Sequence, residues 1–126
     1  MTEKKVTGVL KSDWSAVIQD YPIASGWTHD GGALVVCDSA GGVYVFDTKV
    51  GELLWSERCA HEGGALAMSM HPVETGFTTA GQDGKILIWD LSEARPRCCI
   101  EIGSGWVENL LWSPDGAQLA SSRGRE

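Results

Sequence analysis

Four cysteines and three histidines are the residues best equipped for chemistry in this chain: Cys37, Cys59, Cys98 and Cys99, with His29, His61 and His71. Zinc needs about four such ligands converging at definite spacing. No C-x-x-C pair occurs. Cys98 and Cys99 are adjacent, so on a strand they point to opposite faces. The pattern predicts no metal site and no cofactor. The N-terminus, MTEKKVTGVL, is charged and lacks the apolar core of a secretory leader. The cysteines are then expected to be reduced thiols of a cytoplasmic protein.

The elements that must position these groups follow from composition and periodicity. The chain has 126 residues, room for one domain, and is 43% hydrophobic and 21% charged, as ordinary globular proteins are. Its longest apolar run, from Ala33 to Cys37, is far short of the roughly 20 residues of a membrane-spanning helix. Ten Lys and Arg against seventeen Asp and Glu give a net charge of −7. Such a chain repels phosphate backbones, so neither nucleic acid nor membrane is an expected partner. Sixteen glycines, nearly twice the ordinary share of about 7%, separate short apolar segments. Those segments alternate with a period of two, as in VYVF at 43–46 and ILIW at 86–89, which predicts strands joined by tight turns. The fold class is all-β.

The chain also repeats itself every 42 to 43 residues. GGVYVFD, ending at Asp47, returns as GKILIWD, ending at Asp90. Trp27, Met70 and Trp112 fall at one position of the repeat. Each unit reads as four strands: about 22–28, 33–37, 43–47 and 52–58, then 64–70, 77–80, 85–90 and 97–102. A third unit supplies 105–112 and 117–122, and no more.

TTAGQDGKILIWD in the second unit, with a His before its first strand, and WSPDGAQLASS in the third resemble the WD-repeat β-propeller family, over residues 21–126. The resemblance implies blades of four-stranded antiparallel sheet in an incomplete ring. Residues 1–20 form an N-terminal strand segment that completes another blade, 21–63 the first blade, 64–104 the second, and 105–126 the first half of a third. It further implies a hydrogen-bonded chain of His61, Thr79, Asp83 and Trp89 inside the second blade. His–Thr–Asp is also the make-up of a hydrolytic triad. A nucleophile needs exposure and an oxyanion hole, and the sequence supplies neither, so the four are read as structural and no residue as catalytic. The first unit has Ile18, Val36, Ala40 and Phe46 at those places, and the third has Gly103, Ser121 and Arg125 at three of them. These units must rely on apolar packing through Trp27, Phe46, Met68, Met70, Leu110 and Trp112. His29 and His71 take the place of Ser113 in the first turn of a blade, capping backbone amides.

WD-repeat propellers are rigid protein-binding platforms, which makes a non-catalytic interaction scaffold the function expected by resemblance. Its binding rim would carry Trp106, Gln82, Glu62 and Asp38, with Trp106 either an interface anchor or packed between blades. A second resemblance competes. GGVYVFDTKVGELLW at 41–55 is similar to the repeat of quinoprotein dehydrogenases, in which Trp55 would dock between blades and quinone and calcium would be bound. The second unit lacks that Trp and Gly, and the loops that carry such an enzyme's ligands are absent. Two and a half blades leave open faces. They are expected to be covered by other copies of the chain, in a dimer of six blades with residues 6–10 of one copy completing 105–122 of the next, or by the rest of a longer propeller of which this is a truncation.

Overall fold

The computed structural model describes residues 13–124. Ten strands follow in chain order: β1 (Pro22–Trp27), β2 (Ala33–Asp38), β3 (Val43–Asp47), β4 (Leu53–Glu57), β5 (Ala65–Met70), β6 (Phe77–Gly81), β7 (Lys85–Trp89), β8 (Pro96–Glu101), β9 (Val107–Trp112) and β10 (Leu119–Arg123). Each lies within two residues of the span expected from the alternation. They form three antiparallel meanders, β1-β2-β3-β4, β5-β6-β7-β8 and the pair β9-β10. The three do not close into a ring.

Sheet lies on sheet, and burial follows from that stacking. The middle strands are covered on both faces, so β3 and β6 are buried almost throughout; β3 reads as a near-continuous apolar run, whereas β6 carries Thr78 and Thr79 at its centre. The outer strands β4 and β8 are largely exposed. One core lies between the first two sheets, built on Val35, Cys37, Val43 and Val45 against Phe77, Leu87 and Trp89. A second, of Ala67, Ala80, Ile86, Val107 and Leu110, joins the second and third sheets. Trp55 of β4 stacks on Trp89 with ring centroids 5.7 Å apart, and its indole N–H donates to Leu91 O over 2.7 Å.

Backbone contacts between a hairpin turn and the loop that leads to the next sheet demand glycine at two equivalent turns. Gly41 and Gly84 have φ of 95° and 73°. Their carbonyls accept from His61 N and Ile102 N over 3.1 and 2.9 Å. A side chain at either place would strike the backbone of that loop, at His61 and Gly103 respectively.

Several sequence expectations need correction. Residues 13–20 form no strand. Trp14 instead packs on Phe46, centroids 6.2 Å apart, and donates to Thr48 O over 2.8 Å. With Ile18 it covers Val36, Tyr44 and Phe46 on the open side of the first sheet. Residues 6–10 and Arg125 lie outside the described residues. Trp27, expected to pack between sheets, is 57% exposed, because the sheet that would cover this face is not among those described. Met68, Met70 and Leu110 do pack in the cores. The turn counterpart of Ser113 is Thr28 rather than His29: each hydroxyl donates over 2.7 Å to the Asp two residues on, Asp30 and Asp115. His71 holds the same place in the second unit. Its Nδ1 accepts from the amides of Val73 and Glu74, leaving Nε2–H to donate to Gly116 O of the next unit over 3.1 Å.

Candidate functional site

Thr79, on β6, faces the first sheet and is fully buried with His61 from the loop before β5. Trp89 Nε1 at the end of β7 donates to Thr79 Oγ1 over 2.9 Å. The hydroxyl donates to His61 Nε2 over 2.7 Å, and His61 Nδ1–H donates to Asp83 Oδ1 in the β6–β7 turn over 3.1 Å. Asp83 Oδ1 also accepts from its own turn at Lys85 N over 3.2 Å. This donor order requires a neutral imidazole. Burial holds the His61 pKa below its ordinary 6.5, although the hydrogen bond and charge of Asp83 pull it upward. Chemically the chain is a closed relay. Thr79 spends its single proton on His61, and its oxygen is capped by an indole, so no substrate can reach it.

The first sheet carries a different lock, which the sequence reading missed. Asp38, expected on an exposed rim, is 1% exposed. Its Oδ2 accepts from Tyr44 Oη over 2.8 Å, and its Oδ1 accepts from Gly42 N and Ala40 N over 2.7 and 3.1 Å. The physical reason is the repeat position: Gly81 stands at this strand end in the second sheet and has His61 packed against it, whereas the first sheet has no imidazole there. Burial, then the hydrogen bond to Asp38, raise the Tyr44 pKa above its ordinary 10. The only signal in the sequence was an Asp six residues before a Tyr across a tight hairpin. At the equivalent end of β10, Arg123 Nη1 donates to Ile102 O over 2.6 Å.

The remaining rim candidates lie on the loops that link sheet to sheet. Glu62 is exposed, and Gln82 is half-buried over the adjoining Gly63 and Gly64 with its backbone N–H donating to Gly64 O. Trp106, in the loop between β8 and β9, is 51% exposed. Ser121, at the Thr79 position of the third sheet, is exposed and outside any such relay. Among the described residues no three His, Cys, Asp or Glu side chains converge as metal ligands would. Cys59, Cys98 and Cys99 are exposed free thiols, while burial pushes the Cys37 thiol up to about 12.

Four antiparallel strands in a meander, each sheet laid on the next with a 42- to 43-residue period, are blades of a β-propeller. The WD domain, G-beta repeat family matches residues 52–90, the stretch that holds β4 and all four residues of the relay, which supports a WD-repeat family. Among curated proteins it is similar to p21-activated protein kinase-interacting protein 1-like of Danio rerio, 35% identical over 62% of this chain and 21% of that protein. It is similar too to DDB1- and CUL4-associated factor 13 of Dictyostelium discoideum, 31% identical over 48% and 14%, and to WD repeat-containing protein 1 of Mus musculus, 29% identical over 68% and 15%. The chain thus spans about a fifth or less of each relative's length. Among solved structures it resembles the β-propeller domain of Cps50 (Swd1) from Myceliophteria thermophila, with a TM-score of 0.77 at 16% identity over 91% of this chain and 36% of that one. A chain in the crystal structure of the mitotic checkpoint complex gives 0.69 at 27% identity over 80% and 30%.

Proposed function

We propose that this chain is a non-catalytic protein-binding platform of cytoplasmic WD-repeat type. The observation behind this reading is Trp106, a large amphipathic ring left half-exposed on the rim beside the β6–β7 turn of a rigid scaffold, the residue type that most often anchors an interface. The acid–base residues of the second blade, His61, Thr79 and Asp83, are meanwhile enclosed and satisfied by one another and by Trp89. Two of the relatives are named for associating with other proteins. Glu62 and Gln82 flank the same rim, whereas Asp38 no longer belongs to it. The open faces at both ends of the arc are covered by further blades, from the rest of a longer propeller or from other copies of this chain. Two copies of three blades each make six, within the usual range of about 4–8, and three copies would exceed it.

The test is affinity capture with the wild-type chain and with Trp106→Ala, Glu62→Ala and Gln82→Ala combined. A platform loses specific partners in the variant at an unchanged melting temperature. Capture that the triple variant leaves unchanged contradicts the rim. The quinoprotein alternative is read in the same preparation: a bound quinone chromophore with added calcium and dye-linked turnover of an alcohol or sugar moves the protein to the enzyme class.

A further inference from the structure

The first turn of each blade is built at one register position with two different chemistries. Thr28 and Ser113 each donate to the Asp two residues on over 2.7 Å. Each also accepts from the amide five residues on, Ala33 N and Gln118 N, over 3.1 and 3.0 Å. The carboxylates of these turns stay charged well into acid. The Gly32 amide and Thr28 hydroxyl hold Asp30 below its ordinary 3.8, and the Ser113 hydroxyl and Ala117 amide do the same for Asp115.

The second blade has Val73 where the others have Asp, and His71 where they have a hydroxyl. His71 Nδ1 accepts from Val73 N and Glu74 N over 3.1 and 2.9 Å, and Nε2–H donates to Gly116 O over 3.1 Å. Gly116 has a φ of 73°, and a side chain there would collide with the imidazole. Trp112 packs edge-on against the same ring, centroids 4.7 Å apart. All three bonds require a lone pair on Nδ1. A second proton must enter at that atom, and an N–H cannot face two other N–H donors. The ring then leaves its turn, and the bond to the third blade goes with it.

We propose that His71 is a proton-operated latch between the second and third blades, at the edge of the sheets opposite the rim. The neutral ring ties the β5–β6 turn to the β9–β10 turn, and the imidazolium releases both. Glu74 and, from β8, Arg97 line the cleft beside the ring, while Asp115 flanks Gly116 in the opposing turn. Arg97 lies 3.9 Å from Asp90. Two carboxylates thus stand ready for the displaced imidazolium, against one guanidinium that has an acid of its own. The core of Ala67, Ala80, Ile86, Val107 and Leu110 and the bond from Trp112 N to Ser69 Oγ carry no titrating group. The blades therefore stay joined in acid, and only this edge opens.

Heteronuclear NMR on the full chain tests the latch between about pH 7.5 and 5, the range over which imidazole changes charge. At the upper pH the His71 proton should sit on Nε2, with nuclear Overhauser contacts from the ring to Gly116 and to the Trp112 indole. At the lower pH those contacts should vanish, and the Val73 and Glu74 amides and the Trp112 indole should shift with the His71 midpoint. The Ala33 and Gln118 amides should not follow it. His61 reports separately, through the Lys85 amide and Trp89 indole. His71→Ser with Val73→Asp rebuilds the turn of Ser113 and Asp115, and should abolish the titration at Glu74 and Trp112. A proton on Nδ1 at pH 7.5, ring contacts that persist at pH 5, or a titration that survives in the double variant overturns the proposal. None of these results touches partner capture at the rim, so the platform reading is tested apart from it.

Discussion

Tyr44 donates its phenolic proton to Asp38 over 2.8 Å in the first blade, and both side chains are buried. This pair does for the first blade what the His61–Asp83 contact does for the second: it ties a strand end to the turn that follows. Tyr44→Phe should cost about 1.5–3 kcal/mol, the worth of one buried hydrogen bond to a charged group, because Gly42 N and Ala40 N still hold the carboxylate. Asp38→Ala should cost more, since it orphans the phenol and both amides at once. Urea denaturation of the two variants checks the order. Equal losses, or a larger one for Tyr44→Phe, would contradict this account.

Acid should weaken the fold through His61. Its folded pKa lies below the 6.5 of the unfolded chain, so below pH 6.5 the unfolded state takes up a proton that the native state refuses. The unfolded chain then binds more protons, and stability falls as the pH drops from 6.5 towards the lower folded value. His61→Gln, denatured in parallel at pH 7.5 and 5.5, should lose part of the wild-type difference between the two. An undiminished difference would assign the acid sensitivity to other groups.

Thiol labelling should separate the cysteines into two classes. Cys59, Cys98 and Cys99 are exposed, while Cys37 is fully buried in the first core with its pKa pushed to about 12. The thiolate is the reactive form. Three groups should therefore react at once with a soluble disulfide reagent, and the fourth only at the rate of unfolding. Four equally fast reactions would show that the first two sheets do not pack as described.

Most strands were legible because they alternate or run apolar between glycine turns, β6 and β10 because the repeat period places them, and the relay because its four residues keep the family's spacing around the Trp-Asp pair at 89–90. What escaped was set by neighbours. Asp38 reads as a turn residue beside Ser39, and only the folded hairpin brings Tyr44 over it. Trp27 matches partly buried Met70 in the repeat, yet it is left 57% exposed among the described residues. Trp14 precedes Trp55 by 41 residues rather than 43, so the period hid its likeness to an outer-strand tryptophan. His29 drew attention by its type, although Thr28 holds the register position.

His61, Thr79, Asp83 and Trp89 form a structural lock inside the second blade. Equilibrium urea denaturation of Asp83→Ala measures this most directly. Removing the carboxylate leaves the buried His61 Nδ1–H and the Lys85 amide without their acceptor, which should lower stability by about 1–3 kcal/mol, with the midpoint shifted and the slope unchanged. A correctly assembled Asp83→Ala protein with the wild-type midpoint would contradict the account.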